Sequence, residues 1–232
     1  MNTYIQRRGQ IETYFDRTAA QAWARLTSDA PLGRVRASVR AGRDNMRQLL
    51  LSWLPDDLLG MRVLDAGCGT GAFAVAAAQR GARVLAIDLS PTLVDLARER
   101  HGVTHGEGAI DFRSGDMLDP ALGSFDYVVG MDSLIHYQPA DAVRVLNGLA
   151  QRTRIAMVFT FVPSNPLLAT MRAAGKLFPR GDRSPAVVPV TESGLRDLFA
   201  NDDELCGWTC LRSQRVASGF YTSQALQLTR DE

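Results

Sequence analysis

The feature that most constrains the fold of this chain is the run Val63-Leu64-Asp65-Ala66-Gly67-Cys68-Gly69-Thr70-Gly71. Apolar residues and a carboxylate lead into three glycines spaced two apart, and a helix-like segment follows from Gly71 to Arg80. A strand that turns sharply into a helix needs residues without Cβ at the turn, and the same absence lets a ligand approach the backbone. Alone, such a turn is weak evidence, because many nucleotide folds use one and a purely structural turn has the same composition. Its surroundings add weight: from Met61 onward, short apolar runs alternate with helical segments, as in parallel strands joined by crossover helices.

The apolar runs predict strands at Arg62 to Asp65, Arg83 to Asp88, Ile110 to Arg113, Phe125 to Gly130 and Ile155 to Phe161. Helices are expected near Gly71 to Arg80, Pro91 to His101 and Pro139 to Arg152, and Trp208 to Val216 with Phe220 to Leu228 as a terminal strand pair. Ahead of this core, apolar residues at helical spacing from Ile11 to Leu26 predict one amphipathic helix. A second follows Pro31, and Pro55 ends it. The arginines of that second helix read as a solvated face, with Arg43 singled out as a candidate substrate contact. The stretch from Pro163 to Pro189 reads as an insertion over the sheet, serving either as a lid or as a packing helix.

The 232 residues suit one α/β domain with a small appendage, and 46% apolar with 22% charged residues describes an ordinary globular chain. A formal charge of +1 gives no global attraction for nucleic acid, which is not expected as a partner. Lys176 is the only lysine, and arginine suits carboxylate recognition through its planar fork. Cys68, Cys206 and Cys210 have neither zinc nor redox spacing, so no metal site is expected and a reducing cytoplasm fits. The N-terminus lacks an apolar signal region, and the longest apolar stretch, near Ile155 to Val162, is too short to span a bilayer.

Two further signals follow the glycine turn. Asp88 lies 23 residues after Asp65 at the end of the second strand, where a carboxylate can accept both hydroxyl hydrogens of a ribose, and Ser90-Pro91 looks like the cap and first position of the next helix. Gly115-Asp116-Met117 follows the third strand. Dinucleotide enzymes prefer glycines at the first, third and sixth positions, whereas here they fall at the first, third and fifth, and residue 72 is Ala72. On this pattern the segment resembles the class I S-adenosylmethionine-dependent methyltransferases. The resemblance implies a Rossmann-like α/β fold with a seven-stranded, mostly parallel sheet and helices on both faces.

Nearly the whole chain is similar to the magnesium protoporphyrin IX O-methyltransferase family. The segments that carry this are Tyr14 to Thr18, Ala22 to Leu26, Arg40 to Asp44, Asp126 to Tyr137 and Lys176 to Pro185. The glycine turn identifies only a superfamily, but Met131 to Tyr137 and Lys176 to Arg180 belong to a small group. The resemblance implies an N-terminal helical extension (1–60) covering the cofactor cleft and a methyltransferase domain (61–232), with 163–190 covering the substrate. It also implies S-adenosylmethionine as methyl donor and S-adenosylhomocysteine as product. Gly67, Cys68 and Gly69 would approach the methionine part, Asp65 its amino group, and Asp88 and Ser90 the ribose side. Leu89 and Met117 would flank the adenine, Asp116 would bind its amino group, Met131 would sit near the methyl end, and Tyr14 would close over the cleft.

A propionate has a solution pKa of about 4.3, so the acceptor is already a carboxylate at neutral pH and no general base is required. His136 would orient the reacting oxygen. Arg180 or Arg183 would hold the propionate that does not react, with Arg43 and Tyr137 as further substrate contacts. Relatives from oxygenic phototrophs place a tyrosine where this chain has Thr27, and Tyr14 or Tyr137 could cover its role. Handover from the large porphyrin-binding subunit of magnesium chelatase and peripheral contact with the photosynthetic membrane are further implications. Two other readings stay open at this point: a methyltransferase for a quinone or tocopherol precursor, which would need a base, and a tetrapyrrole carrier without chemistry.

Overall fold

The structure is a computed structural model that describes residues 2–18, 26–27, 33–102, 108–164 and 186–230. Its core is one seven-stranded sheet: β1 (Arg62–Ala66), β2 (Arg83–Asp88), β3 (Ile110–Ser114), β4 (Phe125–Gly130), β5 (Thr153–Phe161), β6 (Trp208–Ser218) and β7 (Tyr221–Arg230). The spatial order is β3-β2-β1-β4-β5-β7-β6. Pairings among β1 to β5 are parallel, while β7 runs antiparallel to both β5 and β6. β1, β2, β4 and most of β5 read as near-continuous apolar runs because helices cover both faces, whereas β3, at the sheet edge, alternates. Two apolar cores result, one centred on Leu64, Phe125, Leu146 and Met157, the other on Met46, Leu50, Val63 and Val158.

The helices are α1 (Asn2–Thr13), α2 (Arg34–Ser52), α3 (Ala72–Ala78), α4 (Pro91–His101), α5 (Pro139–Ala150) and α6 (Glu192–Ala200). Ser90 caps α4 by accepting from the Leu93 amide with Pro91 in the first turn, as its sequence implied. Chain order reverses between β1 and β4, which places a crevice at the carboxyl ends of these strands. The seven expected strands are present with their ends shifted by one or two residues.

The N-terminal expectation needs correction. The first helix begins at Asn2 rather than Ile11, and it gives way at Tyr14–Thr18 to a single π-helical turn. Residues 19–25, the remainder of the expected helix, lie outside the described residues, as do Lys176, Arg180 and Arg183. The sequence reading also passed over α6, whose Thr191 caps the helix by accepting from the Gly194 amide and whose Leu195 and Phe199 are buried.

The ends of the 163–190 insertion are held together. Pro163 and Val190 form a parallel bridge, the Ser164 amide donates to the Val190 carbonyl at 2.8 Å, and the Val188 amide donates to the Ile135 carbonyl at 2.8 Å. Both ends therefore emerge beside the segment that carries His136. Among the described residues, no helix is long and apolar enough to cross a membrane.

Candidate functional site

The crevice is a cavity of about 500 Å³, within the size range of small-molecule sites. Its floor is the turn after β1. Gly67 takes φ +88°, and an added Cβ would collide with Ser133, so this position admits only glycine while the turn keeps its course. Gly71 starts α3 at φ +80°, with Phe112 2.7 Å from where a Cβ would sit.

Asp65 is the most telling group in this floor. Its side chain is almost fully buried, yet Oδ2 has no hydrogen-bond partner. Burial, followed by the nearby charge of Asp88, pushes its carboxyl up to about 7. An unpartnered, buried carboxylate oxygen beside a cavity is costly unless a ligand cation completes it. Asp88 lines the same cavity, and its carboxylate accepts from the amides of Gly69 (2.8 Å) and Ser90 (2.9 Å). Burial raises its pKa too, partly offset by those backbone donors. Burial also raises the Cys68 thiol well above its usual value, so it is a neutral wall and no nucleophile.

Around this floor the structure brings together most of the residues expected from sequence. Gly67, Cys68, Gly69, Leu89, Met117, Met131, His136, Tyr137 and Arg43 all line the cavity, as do Ile11 and Phe15 from the N-terminal extension. His136 is buried in a short 3-10 turn, with its ring centroid 5.7 Å from that of Phe15. Tyr137 is buried and stacks on Tyr4 of α1 at 5.3 Å. Such an aromatic cover shields this end of the cavity from water.

Three expected contacts are placed elsewhere. Tyr14 and Ser90 are not among the lining residues: Tyr14 packs edge-on against Phe15, and Ser90 is spent on the helix cap. Asp116, expected at the adenine amino group, is engaged by the extension instead. It accepts from the Tyr4 hydroxyl (2.8 Å), from the Arg8 guanidinium and from the Leu118 amide. The reason is that α1 starts earlier than the sequence suggested, and its first two turns carry Tyr4 and Arg8 onto this carboxylate. The second helix is not merely a solvated face either, because Arg40 and Arg47 line the cavity along with Arg43.

Asp132, which sequence reasoning passed over, is the most heavily bonded carboxylate of the site. It pairs with Arg43 of α2 and accepts from Thr160 Oγ1 (3.1 Å), Tyr221 Oη (3.2 Å) and Ser223 Oγ (3.1 Å). Its position directly after a fully buried strand and next to Met131 was the only available signal. Arg43 and Tyr221 each lie 89 residues away.

A crevice of this shape, at the switch point of a sheet with β7 reversed and with a buried carboxylate before the glycine turn, is that of a Rossmann-like class I methyltransferase. Residues 63–154 match the model of a general methyltransferase domain, and residues 130–230 match the model of the magnesium-protoporphyrin IX methyltransferase C-terminus. The magnesium-protoporphyrin O-methyltransferase of Rhodobacter capsulatus is 49% identical over 97% of both chains. The chain therefore belongs to the magnesium-protoporphyrin O-methyltransferase family.

The solved structure of magnesium protoporphyrin IX methyltransferase from Synechocystis PCC 6803, with bound S-adenosylhomocysteine, superposes with a TM-score of 0.82 at 27% identity, covering 95% of this chain and 98% of that one. By contrast, similarity to the ubiquinone biosynthesis O-methyltransferase of Xanthomonas oryzae, 43% identical, spans only 38% of this chain and 37% of that one. Among the described residues no group of three or more histidines, cysteines or carboxylates is placed to hold a metal.

Proposed function

We propose that this protein transfers the methyl group of S-adenosylmethionine to a propionate carboxylate of magnesium protoporphyrin IX, giving the monomethyl ester on the route to bacteriochlorophyll or chlorophyll. The observation that carries this reading is a single cavity holding both a complete cofactor floor and a distinct acceptor wall of Arg43, Met131, His136 and Tyr137. The family relationship over almost the full chain supports it, whereas the similarities to ubiquinone biosynthesis O-methyltransferases span 38% to 53% of the chain.

The residues present fit the cofactor. Asp65 Oδ2 would accept its ammonium and Asp88 its ribose hydroxyls, Gly67 to Gly69 would face its methionine part, and Leu89 and Met117 would flank its adenine. When bound, it would supply an electrophilic methyl carbon to a carboxylate oxygen, the C–S bond breaking as the O–C bond forms and S-adenosylhomocysteine leaving. Met131, which lines the same cavity, would face the methyl end.

Removing water from an anion and a cation that neutralise one another speeds their reaction, and fixed orientation contributes up to about 7 to 11 kcal/mol. Phe15, Tyr137 and Ile11 supply the dry wall, and His136 orients the reacting oxygen by one hydrogen bond. By the family relationship, segment 163–190 would cover the macrocycle and Arg180 or Arg183 would bind the second propionate; residues 165–185 lie outside the described residues. Handover from the porphyrin-binding subunit of magnesium chelatase and attachment at a membrane surface extend the same reading, and co-sedimentation with each partner tests them.

The experiment is incubation of purified protein with methyl-labelled S-adenosylmethionine and either magnesium protoporphyrin or metal-free protoporphyrin. A base-labile labelled ester, formed preferentially on the magnesium form, is the expected product. Label on a quinol acceptor instead, or cofactor binding with no transfer to any acceptor, would replace this reading with one of the two alternatives.

A further inference from the structure

The Arg43–Asp132 pair lines the same cavity as Asp65, Asp88 and His136. Asp132 follows Met131 and precedes the turn bearing His136. The pair is well shielded, with 20% of the Arg43 side chain and 7% of the Asp132 side chain exposed. Asp132 takes φ +54°, the one non-glycine residue at positive φ among those described. A backbone of this kind costs about 1 kcal/mol or more and persists only where its surroundings hold it.

Those surroundings come from three separate elements. Thr160 on β5 accepts from the Asp132 amide at 2.7 Å and donates its hydroxyl to Oδ1, while Tyr221 and Ser223 on β7 donate to the carboxylate. On α2, Gly42 makes room: a Cβ there would lie 2.5 Å from the Tyr221 ring. Thr160, Ser223, Arg43 and the single Tyr221 hydroxyl, shared between the two oxygens, give the carboxylate four donors, which suits a fixed counter-charge rather than a proton carrier.

Bidentate capture of the nucleophile by an uncompensated arginine would stabilise the ground state and slow its attack. We propose that Asp132 is a positioning residue that holds Arg43 as a charge-balanced pair, so that the guanidinium orients the incoming carboxylate without clamping it. This inference rests on the acceptor being a carboxylate. Asp132 supplies the counter-charge, and the β5 and β7 hydroxyls keep that charge fixed at the edge of the acceptor wall.

The test compares Asp132→Asn, Arg43→Met and the double variant in the full chain. It measures magnesium-protoporphyrin affinity by fluorescence titration with S-adenosylhomocysteine present, S-adenosylhomocysteine affinity by calorimetry, and kcat and KM for methyl transfer. Asp132→Asn is expected to tighten porphyrin binding about three- to tenfold while kcat falls about tenfold or more, with S-adenosylhomocysteine affinity within about twofold.

Arg43→Met leaves Asp132 uncompensated and is expected to raise the porphyrin KM about tenfold; the double variant, which removes the unpaired carboxylate but has no guanidinium to orient the acceptor, is expected to recover about threefold or more of that KM while kcat stays well below the parent's. Should Asp132→Asn fail to fold, the comparison of Arg43→Met with the double variant still decides. An unchanged kcat, parallel loss of binding and turnover, tighter S-adenosylhomocysteine binding, or a double variant no better than Arg43→Met overturns the proposal. If the parent protein itself methylates no porphyrin, it is the functional reading that fails.

Discussion

Asp65 links protonation to ligand binding at the scale of a single residue. Its carboxyl, ordinarily near 3.9, is pushed up to about 7 by burial and by Asp88. The free folded protein therefore keeps this proton where the unfolded chain has lost it. That contribution to folding stability is complete below about pH 4 and is lost as pH rises toward about 7. A bound ammonium favours the carboxylate and reverses the sign. Calorimetric affinity for S-adenosylhomocysteine is accordingly expected to rise between about pH 5.5 and 7.5, approaching tenfold per unit at the acid end, and Asp65→Asn to flatten the profile. Gly67→Ala tests the turn itself, since φ +88° and the collision with Ser133 both oppose a side chain there. Denaturant unfolding is expected to show a loss of about 1 to 3 kcal/mol, with cofactor binding lost as well.

At the scale of elements, α1 is held over the cavity through identifiable bonds. Tyr4 and Arg8 meet Asp116, Thr3 donates to Asp141 at 3.0 Å, and within the π-helical turn Asp16 accepts from Thr92 at the start of α4. Tyr4→Phe removes one such bond, worth about 0.5 to 1.5 kcal/mol. Hydrogen exchange within α1 is expected to quicken by up to about tenfold while that of β1 and β4 stays unchanged. Much of the fold was legible because parallel strands buried on both faces are continuous apolar runs and the glycine turn has one conformation. The first two turns of α1 were not legible: Tyr4-Ile5-Gln6-Arg7-Arg8 buries no apolar stripe of helical period, and it earns its place through partners more than a hundred residues away. The same holds for Asp132, whose meaning lies in Arg43 and Tyr221. Asp88 and Ser90 were readable because what fixes them is local.

At the scale of the whole molecule, the two described ends of the 163–190 insertion meet on the sheet's crevice side. The insertion leaves and re-enters at one point, through the Pro163–Val190 bridge. Replacing residues 165–185 with a short glycine-serine linker is expected to keep S-adenosylhomocysteine affinity within about threefold and the melting temperature within a few degrees, since that segment lies outside the bridge. Porphyrin affinity is expected to fall at least about tenfold. Loss of cofactor binding in such a protein would show instead that the segment belongs to the cofactor site. The reversal of β7 has a consequence of another kind. Because it pairs Gln224 with Phe161 but Thr229 with Ala156, it starts at the mouth of the crevice with Tyr221 and ends with Arg230 at the opposite rim. A tether or reporter fused behind Arg230 would leave the molecule on its back, so a protein immobilised this way would keep its opening turned outward, accessible to a flat and poorly soluble macrocycle.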